Sequence, residues 1–106
     1  MAKLDIFGTP VRDLTPLEGL PLRWLNCAKT QVRDLRPLRG LPLEELYCDM
    51  APVTDFSPLK DLPLRALRAD IEPERDTAVL RGIRTLQTIN SQPAETFWRG
   101  SAAKSR

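Results

Sequence analysis

The sequence predicts an α/β fold: a right-handed solenoid with a parallel sheet on its concave face, short helical turns on its convex face and a helical C-terminal cap. The first observation behind this prediction is a 21-residue period, which places Leu4, Leu25, Leu46 and Leu67 at equivalent positions. The second is the alternation of apolar and polar residues around these leucines, which is typical of short, half-buried strands. The third is an Asp-apolar-x-Pro-Leu stretch in each of the first three units, which favours a one-turn helix.

The strands are expected to turn alternate side chains inward and outward, because successive side chains of a strand point to opposite faces. In the second unit Leu25 and Cys27 are expected to point into the core, and Trp24, Asn26 and Ala28 away from it. A single unit cannot bury its own apolar face, so the strands of successive units should stack in parallel.

The turns have their own columns of equivalent residues. Asp13, Asp34 and Asp55 each precede the apolar-x-Pro-Leu stretch of their unit. We expect their carboxylates to act as N-caps of the short convex helices. The proline of each turn lies near the first helical position, where its missing N–H costs least.

The complete unit reads L-x-x-L-x-[LCI]-x-x-[TN]-x-V-x-D-L-x-P-L-x-x-L-P. This pattern resembles the leucine-rich repeat, whose central motif is L-x-x-L-x-L-x-x-N/C-x-L. The resemblance covers about residues 4 to 90 and implies a solenoid of stacked units. Thr30 stands where the family has Asn or Cys, and its hydroxyl is expected to hydrogen-bond the turning backbone.

Two narrower resemblances bear on function. The Asp column followed by Leu-x-x-Leu is similar to the repeats of bacterial internalins. The Leu-Pro-Leu ending of the units, the Cys-x-x-Thr strand exit and the stretches at 86–90 and 97–98 resemble the C-terminal repeat regions of bacterial, planctomycete-like serine/threonine protein kinases. Nothing in the chain matches the Gly-rich loop, lysine strand or catalytic loop of a kinase, so this resemblance implies a sensor or docking region.

The chain is expected to form one domain, with the solenoid over residues 1–90 and a C-terminal cap with a polar tail over residues 91–106. The fourth unit departs from the pattern, and Pro73 is expected to mark the start of a true helix. The apolar stripe of this helix consists of Val79, Leu80 and Ile83.

The C-terminal cap is expected to shield the last apolar columns from water, as the end of a repeat array requires. Leu86 and Ile89 are expected to lie in a last strand. The stretch from Pro93 to Arg99 is expected to be helical and to lay Phe97 and Trp98 over the final unit.

The N-terminal edge has no comparable cap in the sequence. Leu4 and Ile6 occupy core columns of the first strand, with nothing ahead of them to cover it. An uncovered strand edge beside apolar columns favours pairing with another chain. Three interpretations stay open: the chain is a fragment of a longer protein such as a kinase, it self-associates through this edge, or the bare edge is tolerated.

Composition and charge exclude several classes of function. A net charge of +2 with interleaved acids and bases gives no reason to expect nucleic acid or a membrane as partner. The absence of histidine removes Ser-His-Asp and Cys-His catalysis and histidine metal sites. Cys27 and Cys48 share one inward column and are expected to be free, buried thiols, too few for a metal site. We therefore expect no catalytic residues, metal or cofactor, and, without a signal peptide or membrane helix, a cytoplasmic location.

The expected function is non-catalytic protein–protein interaction through the concave face, and the alternative is assembly into a homo-oligomer through the N-terminal edge. Exposed aromatic residues with polar neighbours are typical of binding hot spots, although strand surfaces are also rich in aromatics for structural reasons. The expected partner-binding residues are Trp24, Asn26, Glu45, Tyr47, Asp49, Arg68 and Phe7.

One convex column is basic. It holds Arg12, Arg33 and Arg75, with Thr54 between them, beside the Asp column. A phosphate-binding arginine ladder is one interpretation of this column. Solvated charges that pair locally with neighbouring acids are the favoured one.

Overall fold

The computed structural model describes residues 3–94, apart from the side chains of residues 73 and 74, and shows one six-stranded sheet with its strands in chain order. Strands β1 to β5 pair in parallel, and β6 pairs antiparallel with β5. The expected α/β class with a largely parallel sheet is therefore confirmed. The strands are β1 (Lys3–Asp5), β2 (Trp24–Asn26), β3 (Glu45–Tyr47), β4 (Ala66–Arg68), β5 (Thr88–Ile89) and β6 (Gln92–Pro93).

The register of the sheet reproduces the period of the sequence. Leu4 lies opposite Leu25, Leu25 opposite Leu46, and Leu46 opposite Leu67. Each partner is 21 residues further along the chain, so one unit of the repeat spans one step across the sheet. Equivalent side chains therefore meet in rows that run across the strands.

Short helices connect the strands. Three 3-10 helices, Thr15–Leu17, Arg36–Leu38 and Ser57–Leu59, follow β1, β2 and β3, and the α-helix α1, Pro73–Arg81, follows β4. Residues 3–94 contain no helix long and apolar enough to cross a lipid bilayer.

The aspartates of the Asp column are not the N-caps that the sequence predicts, because each lies one residue before the N-cap of its 3-10 helix. The N-cap residue of each 3-10 helix is the following apolar residue, such as Leu35, because the helix is a single turn that begins at Arg36. The Asp34 carboxylate instead accepts the backbone N–H of Arg36, at 2.9 Å, in an Asx turn that leads into the helix. Asp13 and Asp55 accept the N–H of Thr15 and Ser57 in the same way, also at 2.9 Å. Side-chain hydrogen bonds from Thr15, Arg36 and Ser57, followed by these backbone hydrogen bonds, lower the pKa of the three carboxyl groups.

The chain reverses after each 3-10 helix in a tight turn whose type depends on one residue. In the second unit Arg39 has ψ 136° and Gly40 has φ +79°, which defines a type II turn. The third unit has Asp61 at the glycine position, and there Lys60 takes ψ −42°, as in a type I turn. A residue with a Cβ avoids positive φ, so the substitution changes the turn type. Both turns are closed by the same hydrogen bond three residues on, which preserves the path of the chain.

The core consists of the inward columns of successive units. Leu25 and Leu46 are fully buried, and Cys27 and Cys48 lie beside them as free thiols, as expected. Burial raises the pKa of Cys27 to about 12 and also raises that of Cys48. The Thr30 hydroxyl donates to the Cys27 carbonyl, at 2.6 Å, which confirms its expected contact with the turning backbone.

Ala28 corrects one expected orientation, because it is 3% exposed and therefore buried. The backbone around it is held on both sides: its carbonyl accepts the N–H of Gly8, and the N–H of Lys29 donates to the carbonyl of Asp49. Ala28 lies two residues past the end of β2, so the alternation that predicts an outward position does not extend to it.

The fourth unit contains the expected helix and an unexpected buried carboxylate. Leu80 is buried and Val79 half-buried on α1, as the apolar stripe predicts, whereas Ile83 is buried beyond the end of the helix at Arg81. Asp76 is 3% exposed, and its carboxylate accepts the Glu72 backbone N–H at 2.9 Å and the Arg75 guanidinium at 2.7 Å.

The C-terminal strands differ from the prediction. Ile89 lies in β5 as expected, but this strand is only two residues long and Leu86 precedes it, half-buried. Pro93 belongs to β6, so the expectation of a helix from Pro93 onward is wrong at its start. Asn90 and Ser91 both have positive φ, and this tight reversal folds the chain back on β5 as an antiparallel strand. The expected positions of Phe97 and Trp98 lie outside the described residues.

Candidate protein-binding face

The outer face is the side of β1 to β4 opposite the leucine core. Alternation along each strand places two side chains of every strand on it, one before and one after the central leucine. Their registers arrange them in two rows across the sheet. One row consists of Lys3, Trp24, Glu45 and Ala66, and the other of Asp5, Asn26, Tyr47 and Arg68.

Trp24 and Tyr47 form the centre of the outer face. Their ring centroids are 5.6 Å apart and the rings meet edge to face at 88°. Trp24 lies directly opposite Glu45, and Tyr47 opposite Asn26, so the two aromatic residues are diagonal neighbours on adjacent strands. Diagonal pairs on one sheet face are within reach of large side chains, and both residues are consequently half-buried although neither belongs to the core.

A hydrogen bond fixes the orientation of Tyr47. Its hydroxyl donates to the Glu45 carboxylate at 3.0 Å, between residues of the same strand. Burial, together with this hydrogen bond and the charge of Glu45, raises the pKa of Tyr47. The phenol therefore stays protonated and donates to the Glu45 carboxylate.

Polar groups flank the aromatic pair on both sides. Asn26 uses its side-chain oxygen to accept the Ala28 backbone N–H, at 3.1 Å. Arg68 is exposed in the same row, directly opposite Tyr47. Asp49 lies two residues beyond Tyr47, past the end of β3, and is half-buried.

Phe7 lies apart from the aromatic pair, past the end of β1. It is 51% exposed, and the Lys29 ammonium lies 5.6 Å from its ring centroid. Lys3 makes the corresponding contact with Trp24, at 6.0 Å. Both contacts join neighbouring units. The Lys3–Trp24 contact could have been predicted from the sequence, because the 21-residue period places these two residues opposite each other.

The structure thus brings most of the expected site residues together. Trp24, Glu45 and Tyr47 are in contact, and Asn26 and Arg68 lie beside them in one row. Asp49 and Phe7 lie beyond the strand ends, so they extend this site without belonging to its centre.

Several surface grooves among the described residues are not lined by Trp24 or Tyr47, although one of them is lined by Gly8 and Lys29, beside Phe7. Another groove of about 560 Å³ is lined by Lys60, Asp61, Arg84 and Thr85, among others, in the loops that precede β4 and β5. Near it the Glu44 carboxylate lies between Arg23, at 3.9 Å, and Arg65, at 3.8 Å. No group of three or more metal-binding acidic or thiol side chains occurs within residues 3–94.

The arginines of the basic convex column have different surroundings. Arg75 is paired with Asp76 at 2.7 Å, a contact that raises the pKa of its guanidinium. Arg12 and Arg33 are exposed. The predicted local pairing with a neighbouring acid is therefore confirmed for Arg75, which is bound to the buried Asp76 carboxylate.

Comparison of the sequence with known protein families and curated proteins identifies no similar protein. No protein-family model matches the chain, and a search of curated proteins gives no match.

Proposed function

We propose that the chain is a leucine-rich-repeat solenoid, capped at its C-terminal end, whose function is to bind another protein through the outer face, its concave side. The support for the solenoid is the one-unit register of the sheet together with the helical connection that follows each of β1 to β4. Arrays of this kind present an extended, curved surface, and curvature favours the sheet side as the contact surface.

The observation that carries the proposal is the Trp24–Tyr47 pair. Tryptophan and tyrosine dominate the binding energy of protein interfaces, because each buries a large area at a small cost in side-chain entropy. Here that cost is reduced further, because the edge-to-face contact and the Tyr47–Glu45 hydrogen bond hold both rings before any partner arrives. Ordered aromatic pairs are usual in a protein core. This pair lies on the side of the sheet away from the core, where the rings can contact a partner.

The surroundings of the pair favour a protein as the ligand. The outer face is a row-ordered sheet surface and not a cleft, whereas small molecules bind in enclosed, largely apolar pockets. Asn26, Glu45 and Arg68 supply donors, an acceptor and a positive charge around the rings. An apolar centre with a polar rim is the usual composition of a protein interface, and Asp49 and Phe7 extend that rim.

The test uses affinity capture followed by quantitative mass spectrometry. The tagged wild-type chain, the Trp24→Ala/Tyr47→Ala variant and a Met50→Ala control are incubated with lysate of the source cells. Met50 is 61% exposed and lies outside the two rows, so the control removes an exposed apolar side chain without touching the pair. We expect at least one protein to be enriched on the wild type and the control, and to fall at least tenfold on the double variant, since hot-spot residues each contribute about 2 kcal/mol or more.

A structural role for the pair would give a different result. Loss of the edge-to-face contact costs about 0.5–1.5 kcal/mol of stability, so the double variant should remain folded, with a modestly lower melting temperature. Equal enrichment of every captured protein on the wild type and the folded double variant would refute the proposed binding role.

A further inference from the structure

The end face is the side of the first unit that turns away from the second, and its apolar columns are incompletely covered. Leu20 is 41% exposed, whereas its equivalents Leu41 and Leu62 are 3% and 4% exposed. Four other columns show the same contrast, with first-unit members half-buried and their equivalents in the second and third units buried, whereas Leu14 and Leu22 of the first unit are themselves buried. The half-buried members of the end face are Leu4, Ile6, Val11 and Leu17.

The backbone of β1 is paired on one side within residues 3–94. Ile6 donates its N–H to Asn26 in β2, at 2.8 Å. Alternate residues of a parallel strand bond to the same neighbour, so Leu4 and Ile6 face β2 while Lys3 and Asp5 direct their amides and carbonyls to the open edge. Phe7 does not extend this edge as a donor, because its N–H is bound to the Asp5 carboxylate at 3.0 Å.

The side chains at the open edge carry opposite charges. Lys3 and Asp5 are both exposed and flank Leu4 on the outer face. In an antiparallel pair centred on Leu4, Lys3 of one copy lies opposite Asp5 of the other, and the reciprocal pair forms by symmetry. Opposite charges at directly opposed positions stabilise a sheet and like charges destabilise it.

No neighbouring register gives this match. Parallel pairing in register would place lysine opposite lysine and aspartate opposite aspartate. An antiparallel pair shifted by two residues in one direction opposes the two Lys3 ammonium groups, and a shift in the other direction opposes the two Asp5 carboxylates. Charge therefore selects one arrangement, which also continues the leucine column from Leu4 of one copy to Leu4 of the other.

We propose that the end face binds a second copy of the chain by antiparallel pairing of the two β1 strands, centred on Leu4, with reciprocal Lys3–Asp5 ion pairs. Lys3 and Asp5 of each copy exchange backbone hydrogen bonds with Asp5 and Lys3 of the other. The side-chain groups are available for the ion pairs: Asp5 uses only Oδ1 for the Phe7 N–H, and the Lys3 ammonium is an exposed group on a flexible stem.

The dimer does not use the Trp24–Tyr47 pair, although Lys3 and Asp5 lie at the end of the same two rows and the Lys3 ammonium lies 6.0 Å from the Trp24 ring. The dimer also has a consequence for the proposed partner binding. The two sheets become continuous, so the Trp24–Tyr47 pairs of both copies lie on the same side, and the dimer presents two equivalent binding surfaces to one partner or assembly.

The test is the solution mass by light scattering and sedimentation over a hundredfold concentration range. The wild type is expected to pass from 12.0 kDa to twice that mass. Lys3→Glu opposes two carboxylates at each ion-pair position, and Asp5→Lys opposes two ammonium groups. We expect each variant to raise the dimer dissociation constant at least tenfold, while Lys60→Glu, the same charge change far from the end face, leaves it within about threefold.

Mixing the two variants tests the register itself. When Lys3→Glu and Asp5→Lys chains pair with each other, both ion-pair positions again oppose a carboxylate and an ammonium. A heterodimer should therefore form from two chains that separately stay monomeric, with circular dichroism confirming that each is folded. A wild type that is monomeric throughout, a dimer insensitive to both variants, or a mixture that stays monomeric would each overturn the proposal. The Trp24→Ala/Tyr47→Ala variant should still dimerise, which separates this inference from the partner-binding one.

Discussion

Truncating the leucine column at its centre and at its end measures how much each unit depends on its neighbours. Leu46→Ala removes a fully buried side chain that has Leu25 on one side and Leu67 on the other. Neighbouring units on both sides hold the cavity open, so we expect the free energy of unfolding to fall by about 3–5 kcal/mol. A domain of this size has a total stability of only about 5–15 kcal/mol, so the loss is a large fraction of it.

Leu4→Ala makes the same chemical change where only one neighbouring strand is present. Leu4 is half-buried, so truncation removes less buried area and leaves a site that opens to water instead of a closed cavity. We expect a loss of about 1–2 kcal/mol, which is less than half of the loss at the centre.

Urea denaturation followed by circular dichroism, at a concentration where the chain is monomeric, measures both losses. The slope of the free energy of unfolding against urea should stay the same in wild type and variants, because the same surface is exposed on unfolding. Equal losses at Leu4 and Leu46 would refute the argument that unit-to-unit stacking supplies the stability. A loss at Leu4 that grows with protein concentration would instead report the proposed dimer, which covers this residue.

Two further predictions concern the thiols and the turns. The folded-state pKa of Cys27 is about 12, above its ordinary value of 9.0, so the unfolded chain releases its proton first and stability should fall as pH rises from about 9. The urea midpoint should therefore decline in this range, and more steeply in the wild type than in Cys27→Ala; parallel pH profiles would contradict this. Gly40→Ala places a Cβ at φ +79° with no atom within 4 Å, so its cost of about 1 kcal/mol is conformational. Asp61→Ala, at the equivalent position without positive φ, should change the melting temperature much less, and equal shifts would contradict the turn assignment.

The strands and their order could be predicted from the sequence because they depend on the period alone. Once Leu4, Leu25 and Leu46 are recognised as equivalent, alternation assigns the neighbouring side chains to the two faces and the repeat assigns the register. Strand β6 could not be predicted in this way, because it occurs once and outside the repeat. Asp76 was also beyond the pattern: it occupies the Asp column, but in a unit where an α-helix replaces the 3-10 turn, which buries the carboxylate against Glu72 and Arg75.

The candidate site was predictable in position but not in detail. Strand alternation placed Trp24 and Tyr47 on one face, and the register made them diagonal neighbours. The edge-to-face contact and the Tyr47–Glu45 hydrogen bond depend on the choice of rotamers, which no spacing in the sequence encodes. Ala28 shows a limit of the alternation, because it lies past the end of β2 and is buried although the pattern predicts an outward position.

Binding of a protein through the outer face can be tested by mapping binding-defective substitutions over the whole surface of the chain. Each exposed position is replaced by alanine, and binding to a captured partner is measured together with the melting temperature. We expect losses of binding without losses of stability to cluster at Trp24 and Tyr47 and to decrease outward through Asn26, Glu45 and Arg68. A cluster on the 3-10 helices, or an even scatter over the surface, would contradict this expectation.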